Sequence, residues 1–388
     1  MNWLRLDSVD EKNWTAAPIR PGRLLVGWAD RAELDGRPIG GPLAGIDWLD
    51  RERRQSGCDW IGYFAYELGY LLEPAAAART PALDGPLYVW AECGDNAADA
   101  KRVDTTSPTS AQTFTRDEYL CAVERCLSYI AAGDIFQVNL SQPLHVDAAP
   151  PPEQIYRRLL ESMPARYGGL LDFRESLGFA IISHSPELFL ELSANGRIRT
   201  KPIKGTRPRL PGMEEELQNS TKDAAELNMI VDLERNDLGR VCEIGSVKVT
   251  QPRTIETHPT VLHGVATVEG QLRNDVGLRE LLAATFPGGS ITGAPKIRAM
   301  QIIQELEIAP RGVYCGALGK LRPDGSLLLN IAIRTATWRA GRLSFGVGGG
   351  IVADSVPAEE YEETLVKARA LLSASGQTDA CNSAALSP

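Results

Sequence analysis

Residues 313–321, 327–338 and 343–352 read as three strand-like runs, separated only by Pro323-Asp324-Gly325 and Arg339-Ala340-Gly341. Turns this short join neighbouring strands as hairpins, whereas a parallel pair needs a crossover of about a dozen residues or more. The three runs are therefore expected to pair antiparallel. Residues 167–201 follow the same logic, with successive strands broken at Ser185-Pro186 and at an Asn195-Gly196 hairpin signal. Helical patterns stand apart from these hairpins. The fold class is therefore α+β rather than a doubly wound parallel sheet.

Four helices are legible. Thr115 and Glu118 form a capping box ahead of an apolar stripe at Tyr119, Val123, Leu127 and Ile130, which Gly133 ends. A second helix starts near Ser220 and carries Asp223, Glu226, Ile230 and Val231. A third follows Pro287-Gly288-Gly289, with Pro295 near its first turn. The last runs from Pro357 to about Leu372. Residues 1–110 read as irregular apart from the Gly/aromatic segment Trp60-Ile61-Gly62-Tyr63-Phe64-Ala65-Tyr66, and 105–112 as a polar connector. No internal repeat is visible.

Composition excludes several classes. The net charge of −9 argues against a nucleic-acid binder, which needs a basic surface. An anionic substrate would need local positive charge, from Lys204, Arg334, Lys367 or a metal ion. No run approaches the roughly 18 apolar residues of a membrane span, and the N-terminus shows no secretion signal. The seven cysteines are scattered with no C-x-x-C, which fits a reducing, cytoplasmic setting, and the four histidines include no zinc-like pair.

Several segments carry chemistry. Lys204 stands alone between Ile203 and Gly205, just after a strand-like run. Its amine can act as a cation or, deprotonated, as a nucleophile. Asp223/Glu226 and Glu360/Glu363 are acidic pairs spaced i,i+3, and Lys367 shares the face of the second pair. Such pairs are common on solvated helices. Here Gly346-Val347-Gly348-Gly349-Gly350 lies just upstream, and strand glycines mark close backbone approach. Mg2+ prefers carboxylate oxygens and keeps waters, so two carboxylates plus a ligand carboxylate would suit it. The run from Pro287 to Lys296 departs from a phosphate loop, because Ala294 stands where the lysine belongs. Its turn can still hold another anion, including a carboxylate.

Together these segments resemble the chorismate-utilising enzymes over roughly residues 115–372. The motifs, in the family's order, are Gly133-Asp134-Ile135-Phe136-Gln137-Val138-Asn139-Leu140, Ser185-Pro186-Glu187, Pro202-Ile203-Lys204-Gly205-Thr206 and Asp232-Leu233-Glu234-Arg235-Asn236-Asp237-Leu238. Pro287 through Arg298, Ile331-Ala332-Ile333-Arg334 and Gly348 through Lys367 complete the set. The resemblance implies two antiparallel sheets packed around a deep cleft, with helices outside. Residues 1–110 would be the N-terminal part of that same body and supply strands to it, 111–375 the chorismate-binding catalytic region and 376–388 a disordered tail.

Two positions narrow the resemblance. Anthranilate synthase large subunits read Pro-Ile-Ala-Gly where this chain has Lys204, which is similar to the aminodeoxychorismate synthase branch. Isochorismate and salicylate synthases carry a water-activating lysine where this chain has Gln137. The resemblance implies Lys204 as nucleophile and Glu187 as the acid for the leaving hydroxyl. It implies Mg2+ held by Glu226 and Glu363, with Asp223 and Glu360 nearby. Arg334 and Tyr314 would hold the enolpyruvyl carboxylate. Ser290, Gly348, Gly349, Gly350 and Lys367 would line the ring-carboxylate side, with His263 near the ring. No cysteine has the Gly-x-Cys-x-Gly context of a glutaminase, so ammonia would come from a separate glutamine amidotransferase subunit or from solution. Two alternatives stay open: an anthranilate synthase large subunit, and a non-catalytic regulator binding chorismate or tryptophan. The family's Leu-Leu-Glu-Ser feedback motif is not found near the N-terminus, which speaks against inhibition by tryptophan.

Overall fold

The computed structural model describes residues 3–77, 85–93, 113–258 and 261–377. The connector read over 105–112 lies outside the described residues, as does all of the tail beyond residue 377. Among the described residues the strands form one sheet of eight and one of twelve. The eight-stranded sheet has at its centre Gln137–Val146, Arg342–Ile351, Thr335–Arg339, Phe179–Ser185 and Tyr167–Phe173, in that order. The twelve-stranded sheet includes Ile203–Pro208, Val261–Gln271, Arg197–Lys201, Leu188–Leu192, Leu327–Ile331 and Ala317–Leu321. These strands pair antiparallel, as the short turns require.

Strand alternation builds the layers. Leu171 and Ile181 pack between the sheets with Leu188, Leu318 and Leu328. Their neighbours Leu170 and Ile182 pack outward with Leu159 and Leu371 of two helices, Pro152–Ser162 and Pro357–Ala374. Helix Thr221–Gly239 covers the twelve-stranded sheet through Leu227 and Val231 against Ile198, while Arg116–Ala131 and Lys296–Leu306 pack against Gln137–Val146 of the smaller sheet. Each such fully buried aliphatic side chain contributes about 1.5–3 kcal/mol. The result is the expected α+β body, two antiparallel sheets face to face with helices outside.

Local signals hold closely. Thr115 Oγ1 accepts from Glu118 N at 3.3 Å, and Thr115 N donates to Glu118 Oε2 at 2.8 Å, ahead of helix Arg116–Ala131. Ser220 Oγ accepts from Asp223 N at 3.2 Å and caps helix Thr221–Gly239. Pro295 directly precedes helix Lys296–Leu306. The last helix runs to Ala374, two residues past the expected end.

Two expectations need correction. Residues 1–110 are not irregular: their described part holds seven strands. Trp3–Asp7 joins the eight-stranded sheet beside Tyr167–Phe173, and Asp59–Phe64 joins the twelve-stranded sheet beside Ala317–Leu321. These strands are short and their partners lie far along the chain, so no local periodicity announces them. The run 327–338 is also not one strand. Leu327–Ile331 belongs to the larger sheet and Thr335–Arg339 to the smaller. The chain changes sheets at Ala332-Ile333-Arg334, where Arg334 takes a left-handed φ of 50°.

Candidate active site

Sheet changes place the first two candidate residues. The chain leaves the smaller sheet at Ser185 and enters the larger at Leu188. It makes the reverse passage between Ile331 and Thr335. The two passages are bonded together: Ser185 Oγ donates to Ile331 O at 2.6 Å, and Ile331 N donates to Glu187 O at 3.0 Å. The two passages, which carry Glu187 and Arg334, therefore lie together in the fold, although the two residues are 147 positions apart in sequence.

Glu187 is buried, with 4% of its surface exposed. Burial pushes its carboxyl up to about 7, against the opposing pull of Ser290 and Lys204. Glu187 can thus hold a proton near neutral pH. Arg334 is half-buried, and no carboxylate among the described residues pairs with its guanidinium; burial alone lowers its pKa. Tyr314 is buried beside the same strands, its ring lying where a Cβ on Gly346 would fall, 2.2 Å away.

Lys204 enters from the larger sheet. Its Nζ lies 3.5 Å from Glu226 Oε2, and both side chains are mostly buried. The glycine strand Arg342–Ile351 passes beside this pair. A Cβ on Gly350 would lie 3.0 Å from Lys204 Nζ and 2.7 Å from Gln137 Nε2. On the adjoining residue, a Cβ on Gly349 would lie 3.0 Å from Glu360 Oε2 and 3.8 Å from Glu363 Oε1. A side chain at Gly350 would crowd the Lys204 amine on one face of the strand, and one at Gly349 would crowd Glu360 on the other. Lys367 Nζ donates to Gly348 O at 2.8 Å and pairs with Glu363 Oε1 at 2.7 Å. Burial works to raise the Glu363 carboxyl, but Lys367, Lys204 and Lys222 outweigh it and hold it low. Glu360 goes the other way: burial raises it, while the Ser355 hydroxyl donates to its Oε1 at 2.6 Å.

Asp223 stands apart from this group. It pairs with Arg207 at 3.1 Å, below Gly205. Among the described residues no three acidic, His or Cys side chains close on one point as a metal cage. Glu226, 3.5 Å from Lys204 Nζ, and Glu363, whose charge Lys367 and Lys204 favour, are hard oxygen donors of the kind that suits a divalent ion.

Buried polar atoms without protein partners crowd the same place. Both amide atoms of Gln137, Asn139 Nδ2 and Ser290 Oγ are in this condition. The Ser290 hydroxyl lies near enough to Glu187 to favour its ionised form, yet outside hydrogen-bond geometry. Buried polar groups are nearly always satisfied, so such a cluster points to a polar ligand. His263 is buried and its Nδ1 lies 2.9 Å from Thr206 Oγ1; burial, then Arg334, pushes it down to about 3, so it is neutral. The Gly288-Gly289 turn is tightly packed: a Cβ on either would lie within 3 Å of Ile331 or Leu233.

Asn139 and Glu234 went unnoticed as individual residues in sequence. Asn139 pairs with Gly350 in the strand register. Gln137, Asn139 and Ser141 alternate along one buried strand face, a polar period of two that could have marked it. Glu234 is buried, accepts from Thr200 Oγ1 at 2.9 Å, and is pushed up to about 8 by burial, with Glu187 adding to the shift. Nothing in a helical Leu-Glu-Arg run distinguishes it from a surface carboxylate.

Known proteins share this architecture. The profile of a family described as chorismate binding enzyme matches residues 90–373. An aminodeoxychorismate synthase from Streptomyces griseus is 46% identical over 274 residues, which is 69% of this chain but 37% of that one. The aminodeoxychorismate synthase component 1 of Salmonella typhimurium is 41% identical over 80% of this chain and 75% of its own. An anthranilate synthase component 1 from Haloarcula marismortui is 44% identical over 72% of this chain and 58% of its own. The chain thus spans about a third to three quarters of the length of these relatives. The crystal structure of anthranilate synthase component I from Streptococcus pneumoniae superposes with a TM-score of 0.78 at 28% identity, covering 94% of this chain and 95% of that one. The family match runs through the glycine strand, both sheet changes and both acidic helices, and the chain belongs to the chorismate binding enzyme family.

Proposed function

We propose that this protein is an aminodeoxychorismate synthase large subunit, converting chorismate and ammonia to 4-amino-4-deoxychorismate. The observation that carries this reading is Lys204. Its amine lies against the glycine strand beside Gln137, with Glu226 at 3.5 Å and the buried acid Glu187 close by. Relatives named for anthranilate synthase are as similar as those named for aminodeoxychorismate synthase, which supports anthranilate formation as a second reading. Lys204 is the residue that favours the first.

Replacing the C4 hydroxyl by ammonia with retained stereochemistry suits a double displacement. The Lys204 amine adds at C2, the ring double bond shifts, and the C4 hydroxyl leaves as water with the proton of Glu187. Ammonia then adds at C4 and expels the lysine amine from C2, returning one proton to the site. One difficult displacement becomes two easier ones. Arg334 and Tyr314 hold the enolpyruvyl carboxylate, which would give Arg334 the anion it lacks. Ser290, Gly350 and Lys367 line the ring-carboxylate side, and neutral His263 stands by the ring. A magnesium ion, when bound by Glu226 and Glu363, would neutralise the ring carboxylate. Gln137 cannot act as a base, which disfavours water as the nucleophile. Ammonia would come from a separate glutamine amidotransferase subunit, the product would feed para-aminobenzoate and folate synthesis, and the setting would be cytoplasmic. No helix among the described residues is long and apolar enough to cross a membrane.

The test is to incubate the pure chain with chorismate, magnesium and ammonium and identify the product by mass. Anthranilate with pyruvate would overturn the proposal. Lys204→Arg then separates nucleophile from cation, because it keeps the charge but supplies no neutral amine. A nucleophilic Lys204 leaves the arginine variant as impaired as Lys204→Ala. It also gives, without ammonia, a peptide heavier by chorismate less one water. An arginine variant with most of the native rate would leave Lys204 as an electrostatic contact.

A further inference from the structure

The inner face of the strand pair Gln137–Val146 and Arg342–Ile351 continues beyond the candidate site. Gly350 stands opposite Asn139 in the site, Gly346 opposite Pro143, and Ser344 opposite His145. At about 3.3 Å per residue, the last pair lies roughly 20 Å from the first. A separate cavity of about 250 Å³ opens there.

Its floor is aromatic: Tyr63 and Phe179 meet edge to face at 6.5 Å. Its cations are three arginines against one carboxylate among the described lining residues. Arg311 is neutralised by Glu307, the one carboxylate. Arg339 lies over the Phe179 ring at 5.4 Å, and Arg342 stands across the hairpin from it. The side chain of Arg342 is 38% exposed and bonds the outlying Asp147, so the cavity reaches solvent on that side. Thr337 and Ser344, a register pair, add hydroxyls to the wall. Tyr314 forms the wall toward the candidate site, its ring seated on Gly346.

The proposed reaction uses none of Tyr63, Phe179, Thr337, Arg339 or Arg342. An aromatic floor below two guanidinium groups suits a flat apolar body that ends in a carboxylate. The volume falls below the roughly 300 Å³ of ordinary drug-sized pockets, which limits the occupant to one ring with short substituents. We propose that this cavity is a second ligand site, for a small ring carboxylate, coupled to the substrate site through Tyr314. The coupling, though not the binding, rests on the reading of Tyr314 as a substrate contact. The occupant's carboxylate meets Arg339 and Arg342 while its ring packs on Tyr63, Phe179 and the outer side of Tyr314. Any displacement of Tyr314 then changes chorismate affinity, and by linkage chorismate changes the occupant's affinity by the same factor.

The full chain is titrated by calorimetry with 4-hydroxybenzoate and with the uncharged 4-hydroxybenzamide. Thr337→Phe fills the cavity and Arg339→Gln removes one charge; neither touches the candidate site. The expected result is one binding site, with the benzamide and Arg339→Gln each weakening affinity about tenfold or more and Thr337→Phe abolishing binding. Thermal unfolding of both variants should match the native chain, and Thr337→Ser serves in place of Thr337→Phe, with affinity retained, if the larger residue fails to fold. Three outcomes overturn the site: no heat at about 10 mM probe, undiminished binding in Thr337→Phe, or binding lost in Arg334→Gln but kept in Arg339→Gln. Repeating the titration with saturating chorismate should shift the probe's affinity severalfold; an unchanged value removes the coupling. A chain that binds the probe but not chorismate sinks the proposed function while leaving the cavity site standing.

Discussion

Arg311 is buried and Arg334 half-buried, and the two differ most in their company. Arg311 is saturated. Its guanidinium bonds both oxygens of Glu307 at 2.7 and 2.9 Å, Ile291 O at 2.7 Å and Asn139 O at 2.6 Å, and it stacks over Tyr66 at 4.5 Å. Burial alone would favour its neutral form, and Glu307 reverses that. Glu307 also accepts from Ser141 N and Oγ at 2.9 and 2.8 Å. This group ties the strand that carries Gln137 and Asn139 to the turn that carries Ser290. Arg334 has no such company. A charge neutralised within the chain is part of the scaffold; a charge left without a protein anion is available to a ligand. The scaffold can be judged by stability and the site by activity, and the two should come apart under mutation.

The largest effect tests the scaffold. Arg311→Met leaves Glu307 buried without its cation and should cost about 3–5 kcal/mol in urea unfolding. Arg334→Met should cost less than about 1 kcal/mol, or stabilise, since it removes a poorly compensated charge. Equal costs would break the comparison. Next come the acidic helices. Glu226→Gln and Glu363→Gln keep shape while removing charge. Each should lower the rate by about 10²–10³ at ordinary magnesium, with melting temperature unchanged. Near-native turnover in both would return these carboxylates to a solvated face.

Glu187 gives a pH signature. Its carboxyl is raised from 4.5 to about 7, so the folded chain binds more protons than the unfolded one across that window. Stability therefore falls as pH rises from about 4.5 to about 7, on the order of 3 kcal/mol for this group. Glu187→Gln should flatten part of that slope, while the raised Glu67 and Glu234 leave the remainder. The rate should decline above about pH 7 as the acid ionises. A variant that unfolds with the native pH dependence would place the raised group elsewhere. The smallest effect returns to Arg334. Arg334→Gln should lower kcat/KM for chorismate by about 10–100-fold, through loss of a charged hydrogen bond. An unchanged KM would mean that this arginine meets no substrate carboxylate.

Much of the fold was legible where the governing contacts are local. The Thr115–Glu118 box, the Ser220 start and the Asn195-Gly196 hairpin each depend on residues a few positions apart. Lys204, Glu187 and the two acidic pairs were legible for another reason: their motifs are long and ordered enough to mark a family even without geometry. The early strands were implied by the resemblance, but no local pattern placed them. Asp59–Phe64 finds its partner at Ala317–Leu321, and no property of six residues reveals a neighbour so far away.

By itself the sequence determined the class of the fold, the starts of four helices and the residues that could do chemistry, because caps, turns and motif spacing act over one or two turns of chain. Tertiary structure alone decided that the run 327–338 divides between two sheets and that Arg334 turns at that division. It also decided that Arg311 is spent on Asn139 O, 172 positions away. The physical reason is that sheet membership and charge compensation are settled by what a strand or side chain meets after the chain has crossed itself. Two arginines of the same chemistry become scaffold or candidate site according to whether a carboxylate is folded against them.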